Sequence, residues 1–153
     1  MVRIQAAKKN NNWRVMVTMD EIGTDIKSSW ILNEHGDLEI VSDEDNIIQS
    51  IVNRFNCWLN GLDLFYLEYG SILSSFLGWK RNEETLGFMR IEIENTLNQD
   101  PRITDYELNI EFNDNGGVDM HLNIPFGDED LEMNLIISED GSIDIIQSID
   151  SEE

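Results

Sequence analysis

Basic residues are scarce in this chain. Its 153 residues include 10 Lys and Arg against 31 Asp and Glu, which gives a formal net charge of −21 at pH 7. Proteins that bind nucleic acids supply clustered cations to the phosphates, and anionic membrane surfaces attract basic segments for the same reason. We therefore expect neither nucleic acid nor a membrane among the partners.

Cysteine and histidine are also scarce. The single cysteine, Cys57, cannot form an internal disulfide, and its place in an apolar stretch favours a small core residue over a nucleophile. The two histidines, His35 and His121, are too far apart in sequence to supply, with one cysteine, the clustered ligands of a zinc site. No Ser/His/Asp or Cys/His grouping points to nucleophilic catalysis. The sequence therefore predicts no catalytic residue, no metal and no cofactor.

Long apolar runs are missing as well. No stretch approaches the roughly 18 consecutive apolar residues of a membrane-spanning helix, and residues 1–13 lack the apolar core of a signal peptide. The chain is nevertheless 41% hydrophobic, which is enough for one domain with a genuine core. We expect a soluble protein that is made in the cytoplasm.

The two ends of the chain differ in charge. Residues 1–19 hold four bases and no acid, whereas residues 103–153 hold 15 acids and no base. The acids could form a solvated face, reflect a high-salt source, or meet a basic partner in an assembly. Composition alone leaves these three explanations open.

The first third of the chain predicts strands. Residues 1–12 are expected to be a flexible basic arm, and the period-2 alternation over Trp13–Met19 predicts a half-buried strand. Residues 33–37 form a turn-prone cluster between the apolar runs 29–32 and 38–41, which predicts a hairpin with His35 solvated at its tip.

A helix is predicted over residues 43–60. Ser42 is a suitable cap, three acids follow it in the first turn, and Asn60-Gly61 supplies a left-handed stop. Residues 62–77 are apolar and aromatic without clear periodicity, so they are expected to form a packed connector. The helix has one apolar stripe: Ile47, Ile48, Ile51, Val52, Phe55, Trp58 and Leu59.

A second helix is predicted over residues 83–98. Asn82 caps it, and Asp100-Pro101 ends it because proline disfavours helical geometry in the preceding residue. Residues 103–149 then alternate between apolar and polar side chains, which predicts a meander of three or four antiparallel strands with one apolar and one acidic face. His121 falls on the acidic face.

These patterns predict one α+β domain over residues 13–149. Its parts are N-terminal strands over 13–41, a helical part over 43–98, and the meander over 103–149, in which the two helices cover the apolar face of the sheet. Residues 150–153 form an acidic tail.

The carboxylates offer few candidates for chemistry. Glu68, in the aromatic connector, is the best candidate for an acid with a raised pKa, and the alternative is a polar residue at the surface of a packed loop. Asp114-Asn115 and residues 128–130 lack the ligand spacing of a calcium loop and predict turns. Gly116-Gly117 joins two strands, so it is not a phosphate-binding loop.

Arg102 is the last base in the chain and lies where the second helix gives way to the meander. It could form a salt bridge, or it could be a partner-facing or core-organising arginine, because guanidinium recognises carboxylates in a bidentate way.

The order of several short motifs resembles the baseplate wedge proteins of contractile phage tails, the family of phage protein W and the gene-25-like proteins, which often carries the name lysozyme. The resemblance spans roughly residues 33–137. The motifs are Gly36-Asp37-Leu38, the segment Ser42 to Ile51, Tyr69-Gly70-Ser71, Leu77-Gly78, and a helix that runs into Asp100-Pro101-Arg102-Ile103.

This resemblance implies a structural role in the virion. Wedge subunits of the family join the inner baseplate to the sheath, so the implied partners are other baseplate wedge proteins, the tail sheath protein, and tail tube or hub proteins. The family carries a Glu-Pro-Arg signature, and Asp100-Pro101-Arg102 is similar, with Asp in place of Glu. Relatives in other contractile injection systems share this role.

The family's sheet is similar to the strand-exchanging domain of the sheath protein, which implies a strand template for the first sheath ring. We place the docking edge in residues 131–149. Two alternatives are a muralytic glycosidase and a generic acidic interaction module. The predicted interface residues are Asp100, Pro101, Arg102, Leu131, Met133, Ile143 and Ile145.

Overall fold

The computed structural model describes residues 5–9, 12–16, 23–76, 78–126 and 129–148. These residues form two helices, a four-stranded antiparallel sheet and two smaller two-stranded sheets, so the predicted α+β class is confirmed. In chain order the elements are β1 (Gln5–Lys9), β2 (Asn12–Met16), β3 (Thr24–Ile26), β4 (Ile40–Ser42), α1 (Asp43–Asn56), a 3₁₀ turn (Leu73–Phe76), α2 (Glu83–Leu97), β5 (Glu107–Phe112), β6 (Val118–Phe126), β7 (Glu129–Ile137) and β8 (Ile143–Ser148).

The large sheet is the predicted meander. Its strand order is β5-β6-β7-β8, and each neighbouring pair is antiparallel. Among the described strands, β5 and β8 therefore lie at its two edges. Because side chains alternate across a strand, every second residue of β6 is buried: Val118, Met120, Leu122, Ile124 and Phe126.

The two long helices cover the apolar face of this sheet, as the sequence predicts. Both contribute to one cluster of buried residues together with the strands. The open face carries the polar side chains of the alternation, and His121 is exposed there, opposite Asn109 and Asn134. The buried helix positions are Ile47, Ile51 and Phe55 on α1 and Met89, Ile93 and Leu97 on α2.

Helix α2 closely follows its prediction. The side chain of Asn82 accepts a hydrogen bond from the backbone N–H of Thr85 at 2.9 Å, as an N-cap should. The helix ends at Leu97, one residue before the predicted end.

Helix α1 begins at Asp43 as predicted but ends at Asn56, four residues early. Cys57 is already extended, and Trp58 then forms a parallel bridge with Ser71. The backbone pairing with a distant segment thus replaces the last predicted helical turn. Trp58 and Leu59 lie outside the helix, and Cys57 is a partly exposed cap instead of a core residue.

The hairpin turn over residues 33–37 is present, but its strands pair differently from the prediction. The N–H of Asn33 donates to the carbonyl of Asp37 at 2.7 Å, and β3 pairs with β4. The predicted strand over 29–32 contributes only a bridge from Leu32 to Leu38. Trp30, with φ of 53°, breaks the extended run there.

The predicted flexible arm, residues 1–12, contains strand β1, which pairs with β2 in antiparallel register. The alternation that starts at Trp13 signals β2, but β1 has too few apolar residues to signal a strand. The last part of the predicted first strand, residues 17–19, and the predicted tail, 150–153, lie outside the described residues.

Alanine substitutions at two glycines test how closely the backbone packs at Gly117, with Gly87 on α2 as the control. A Cβ at Gly117 would lie directly against the carbonyl oxygen of Ile137, whereas a Cβ at Gly87 on α2 meets open space. We expect Gly117→Ala to lower the free energy of unfolding by about 2 kcal/mol. We expect Gly87→Ala to raise it by about 0.5–1 kcal/mol, because alanine favours a helix interior. Urea denaturation measures both free energies of unfolding. A Gly117→Ala variant as stable as the natural chain would contradict this close packing.

Candidate functional site

The carboxylate of Asp100 is the most deeply buried charged group described in the protein, with 1% exposure. It lies just beyond α2, and Arg102 holds it in a fork, with Nε 2.9 Å from Oδ1 and Nη2 2.6 Å from Oδ2. Two groups of α1 reach the same carboxylate, since Nη1 of Arg54 lies 3.1 Å from Oδ2 and the Ser50 hydroxyl donates to that oxygen at 2.9 Å. The charge therefore ties α1 to the junction between α2 and β5.

These contacts determine how Asp100 titrates. Burial alone raises the pKa of this carboxyl, but the hydrogen bonds and charge of Arg102, together with the charge of Arg54, outweigh burial and lower its pKa from 3.8 to about 2. The same hydrogen bonds raise the pKa of Arg102. The group is thus a stable anion with charged partners on two sides.

The structure assigns Arg102 to an internal ion pair with a core-organising role. The side chain of Asp100 faces inward, and its predicted contact with a partner stays a prediction. Pro101 is exposed and the Arg102 side chain keeps 21% exposure, so a partner can reach these two residues but not the carboxylate.

Most of the predicted docking residues on the meander are also internal. Leu131, Met133 and Ile143 are buried, because the alternation turns them toward the helices, so their side chains are covered within this chain and their contact with a partner stays a prediction. Strand β7 lies between β6 and β8, so its backbone offers no continuous edge. Only Ile145 keeps substantial exposure, at 38%.

The backbone of β8 has a defined outer side. The N–H of Ser138 donates to the carbonyl of Ser142 at 2.9 Å, and the register then alternates as far as the pair of Leu135 and Ile145, beyond which it shifts by one residue. The backbone of Asp144 therefore faces Ile136 in the ladder. The N–H and C=O of Ile145 consequently point away from β7. The side-chain amide of Asn56 reaches the carbonyl of Ile143 at 3.4 Å from that same side.

A groove of about 420 Å³ lies beside this edge. The side chains of Ile48 and Val52 on α1 and Val41 of β4 supply apolar contacts, and Ile145 borders the groove on the sheet side. Polar and charged side chains form the rest of the wall: Lys27, Ser28, Asp45, Gln49 and Asn53. The outward backbone of β8 thus lies beside a groove lined by both apolar and polar side chains, an arrangement that leaves room for an added extended segment.

Glu68 does not occupy an apolar pocket. It is exposed, has a left-handed backbone with φ of 60°, and donates its N–H to Oδ1 of Asn60 at 3.2 Å. Glu68 therefore lies at the surface of the loop, which was the alternative to a residue in an apolar pocket. Within the described ranges, no group of three or more His, Cys, Asp or Glu side chains could hold a metal ion.

Sequence reasoning missed one surface. The connector after α1 was predicted to pack, but most side chains of residues 62–67 are exposed. The sequence carried a weak signal for this, because the segment is apolar yet has neither helical nor strand periodicity.

Comparisons with protein-family models and with curated proteins find no match to this chain. None of the helices in the described part of the chain is long and apolar enough to cross a membrane.

The buried ion pair predicts a graded series of stabilities. We expect Arg102→Ala to lower the free energy of unfolding by about 3 kcal/mol, because it removes the fork from a buried carboxylate. Arg102→Lys should cost about 1–2 kcal/mol, since an ammonium cannot bind both oxygens in the same way. The exposed pair of Lys27 and Glu39 is the control, and Lys27→Ala should change stability by less than about 1 kcal/mol. Equal effects of Arg102→Ala and Lys27→Ala in chemical denaturation would contradict this assignment.

The lowered pKa of Asp100 predicts an acid-dependent stability. Because the folded pKa of about 2 lies below the unfolded value of 3.8, the stabilisation is fully present above pH 4 and is lost as the pH falls toward 2. The difference in unfolding free energy between the natural chain and Asp100→Asn should shrink by about 2 kcal/mol over that interval. A difference that stays constant from pH 6 to pH 2.5 would count against the ionised, paired carboxylate.

Proposed function

We propose that this chain is a structural, non-enzymatic subunit of a baseplate wedge in the tail of a contractile phage or a related injection system. In this role it lies in the virion, joins the inner baseplate to the sheath, and templates sheath assembly by adding a sheath strand to the edge of β8. The observation that carries the proposal is the outward backbone of Ile145 beside the groove on α1. The order of motifs that resembles the wedge family supports it independently.

Binding by strand addition depends mainly on backbone hydrogen bonds and less on side-chain contacts. Main-chain hydrogen bonds provide affinity, and alternate side chains select the register by entering apolar depressions. Ile145, Ile48 and Val52 offer such a depression next to β8. No deep ligand pocket is required for this mode of assembly.

Acidic residues select among incoming strands. Glu139, Asp140 and Asp144 are exposed at the start of β8 and in the turn before it. They repel a second copy of this acidic edge, while a neutral or basic sheath strand can still pair.

The ion pair at Asp100 supports the same role mechanically. Arg54 of α1 and Arg102, which lies between α2 and β5, bind the same carboxylate, so they hold α1 against the segment that leads into the sheet. Exposed Pro101 lies at this junction and is accessible to other wedge proteins or to tube and hub proteins.

Two proline variants at neighbouring positions test the edge. Ile145→Pro removes an N–H that points outward, so we expect at least about a tenfold loss of affinity for the purified sheath protein, with little loss of stability. Asp144→Pro is the control, because its N–H lies in the ladder with Ile136 and its loss should destabilise the sheet by about 3 kcal/mol.

Calorimetric titration with sheath protein and thermal denaturation measure these two quantities. If Ile145→Pro bound sheath protein as tightly as the natural chain, docking at the edge of β8 would be refuted.

A further inference from the structure

The loop between α1 and the 3₁₀ turn ends in a group of exposed apolar side chains, which we call the apolar tip and define as residues 62–67. Leu64 is 92% exposed, Leu67 85% and Phe65 79%. Tyr66 is exposed as well. Monomeric proteins seldom present contiguous apolar side chains to this extent, and such patches mark interaction sites.

The base of the loop is held firmly. The amide side chain of Gln99, just beyond α2, bonds both backbone groups of Gly70, accepting from its N–H at 3.0 Å and donating to its carbonyl at 2.7 Å. The N–H of Asn60 donates to the carbonyl of Tyr69 at 3.0 Å, which closes the loop. Gly70 has φ of 107°, and a Cβ there would lie 2.6 Å from the carbonyl oxygen of Cys57, so this close approach requires glycine.

The tip itself is also ordered by backbone contacts. The carbonyl of Leu62 accepts hydrogen bonds from the N–H of Phe65 at 2.8 Å and of Tyr66 at 2.9 Å. A turn that is formed before binding loses less conformational entropy on binding than a flexible segment would. The exposed side chains are therefore presented on a preorganised support.

The charges around the tip restrict what can cover it. Residues 57–79 contain two charged residues, Asp63 and Glu68, and no base. The nearby guanidinium of Arg54 is engaged by Asp100 and lies over the ring of Tyr69, 5.2 Å from its centroid. Both charged side chains of the segment that carries the tip are therefore negative, which disfavours contact with an anionic membrane or with a second copy of this acidic chain.

We propose that the apolar tip is an anchor that inserts into an apolar groove with a rim of Lys and Arg on another protein of the same particle. This interaction rests on the proposed function as an assembly subunit, but it is separate from strand docking at β8. The apolar side chains supply the buried contact, and Asp63 and Glu68 meet the basic rim.

Photocrosslinking in assembled particles tests the anchor. Leu64 is replaced by p-benzoylphenylalanine, particles are purified and irradiated, and the crosslinked peptide is identified by mass spectrometry. We expect a crosslink to a different chain, at an apolar segment flanked by Lys or Arg. A crosslink only to another copy of this chain, or no crosslink in particles that contain the chain, would overturn the anchor and leave the proposed function standing. Absence of the chain from purified particles would refute the proposed function, and the anchor with it.

A binding measurement with the crosslinked partner distinguishes an anchor from an incidental neighbour. The double variant Leu64→Ser/Phe65→Ser should bind that purified protein at least about tenfold more weakly, because two buried contacts are lost. Its melting temperature should stay that of the natural chain, since both side chains are exposed. The matched control is Ile40→Ser on β4, another apolar residue with 70% exposure, which should bind within about twofold of the natural chain.

Vesicle flotation tests directly whether the apolar tip binds a membrane. Vesicles of phosphatidylcholine with and without phosphatidylglycerol should leave the chain at the bottom of the gradient. If the natural chain floated and the double variant did not, the tip would be a membrane anchor and the protein partner would be excluded. Equal binding of the double variant and the natural chain to the crosslinked protein would also overturn the proposal.

Discussion

The packing of α1 against the end of α2 depends on the ion pairs that the buried carboxylate of Asp100 forms. An unpaired charge at 1% exposure would be very costly, and Arg102 and Arg54 both offset this cost by pairing with the carboxylate. Since Arg54 and Ser50 belong to α1, this pairing holds α1 against the end of α2. The chain runs from the ion pair through residues 103–106 into β5, so the same carboxylate connects α1 to the segment that leads into the sheet.

Two exposed features of the domain are each supported by described contacts. The edge of β8 presents backbone groups whose direction follows from the register with β7. The apolar tip presents side chains on a loop that Gln99 clamps at Gly70. Both features match general ways in which protein subunits recognise one another.

Patterns in neighbouring residues predicted those helices and strands that depend mainly on neighbouring residues. The period-2 alternation predicted the meander, and Asn82 predicted the start of α2, because strand burial and helix capping depend on neighbouring residues. The end of α1 was missed since Trp58 and Leu59 continue the apolar stripe, while the bridge to Ser71 that ends the helix involves a distant residue. The same limit applies to the site: nothing near Arg102 in sequence shows that Asp100 also binds Ser50 and Arg54, and the strand order decides which part of residues 131–149 is an edge.

High-resolution cryo-electron microscopy of the assembled particle tests the central proposal most directly. The chain should occupy the baseplate, with a strand of the sheath protein hydrogen-bonded along β8 at Ile145 and the groove beside α1 filled by its side chains. A map in which the edge of β8 is bare and the sheath contacts only the helices would contradict the proposal.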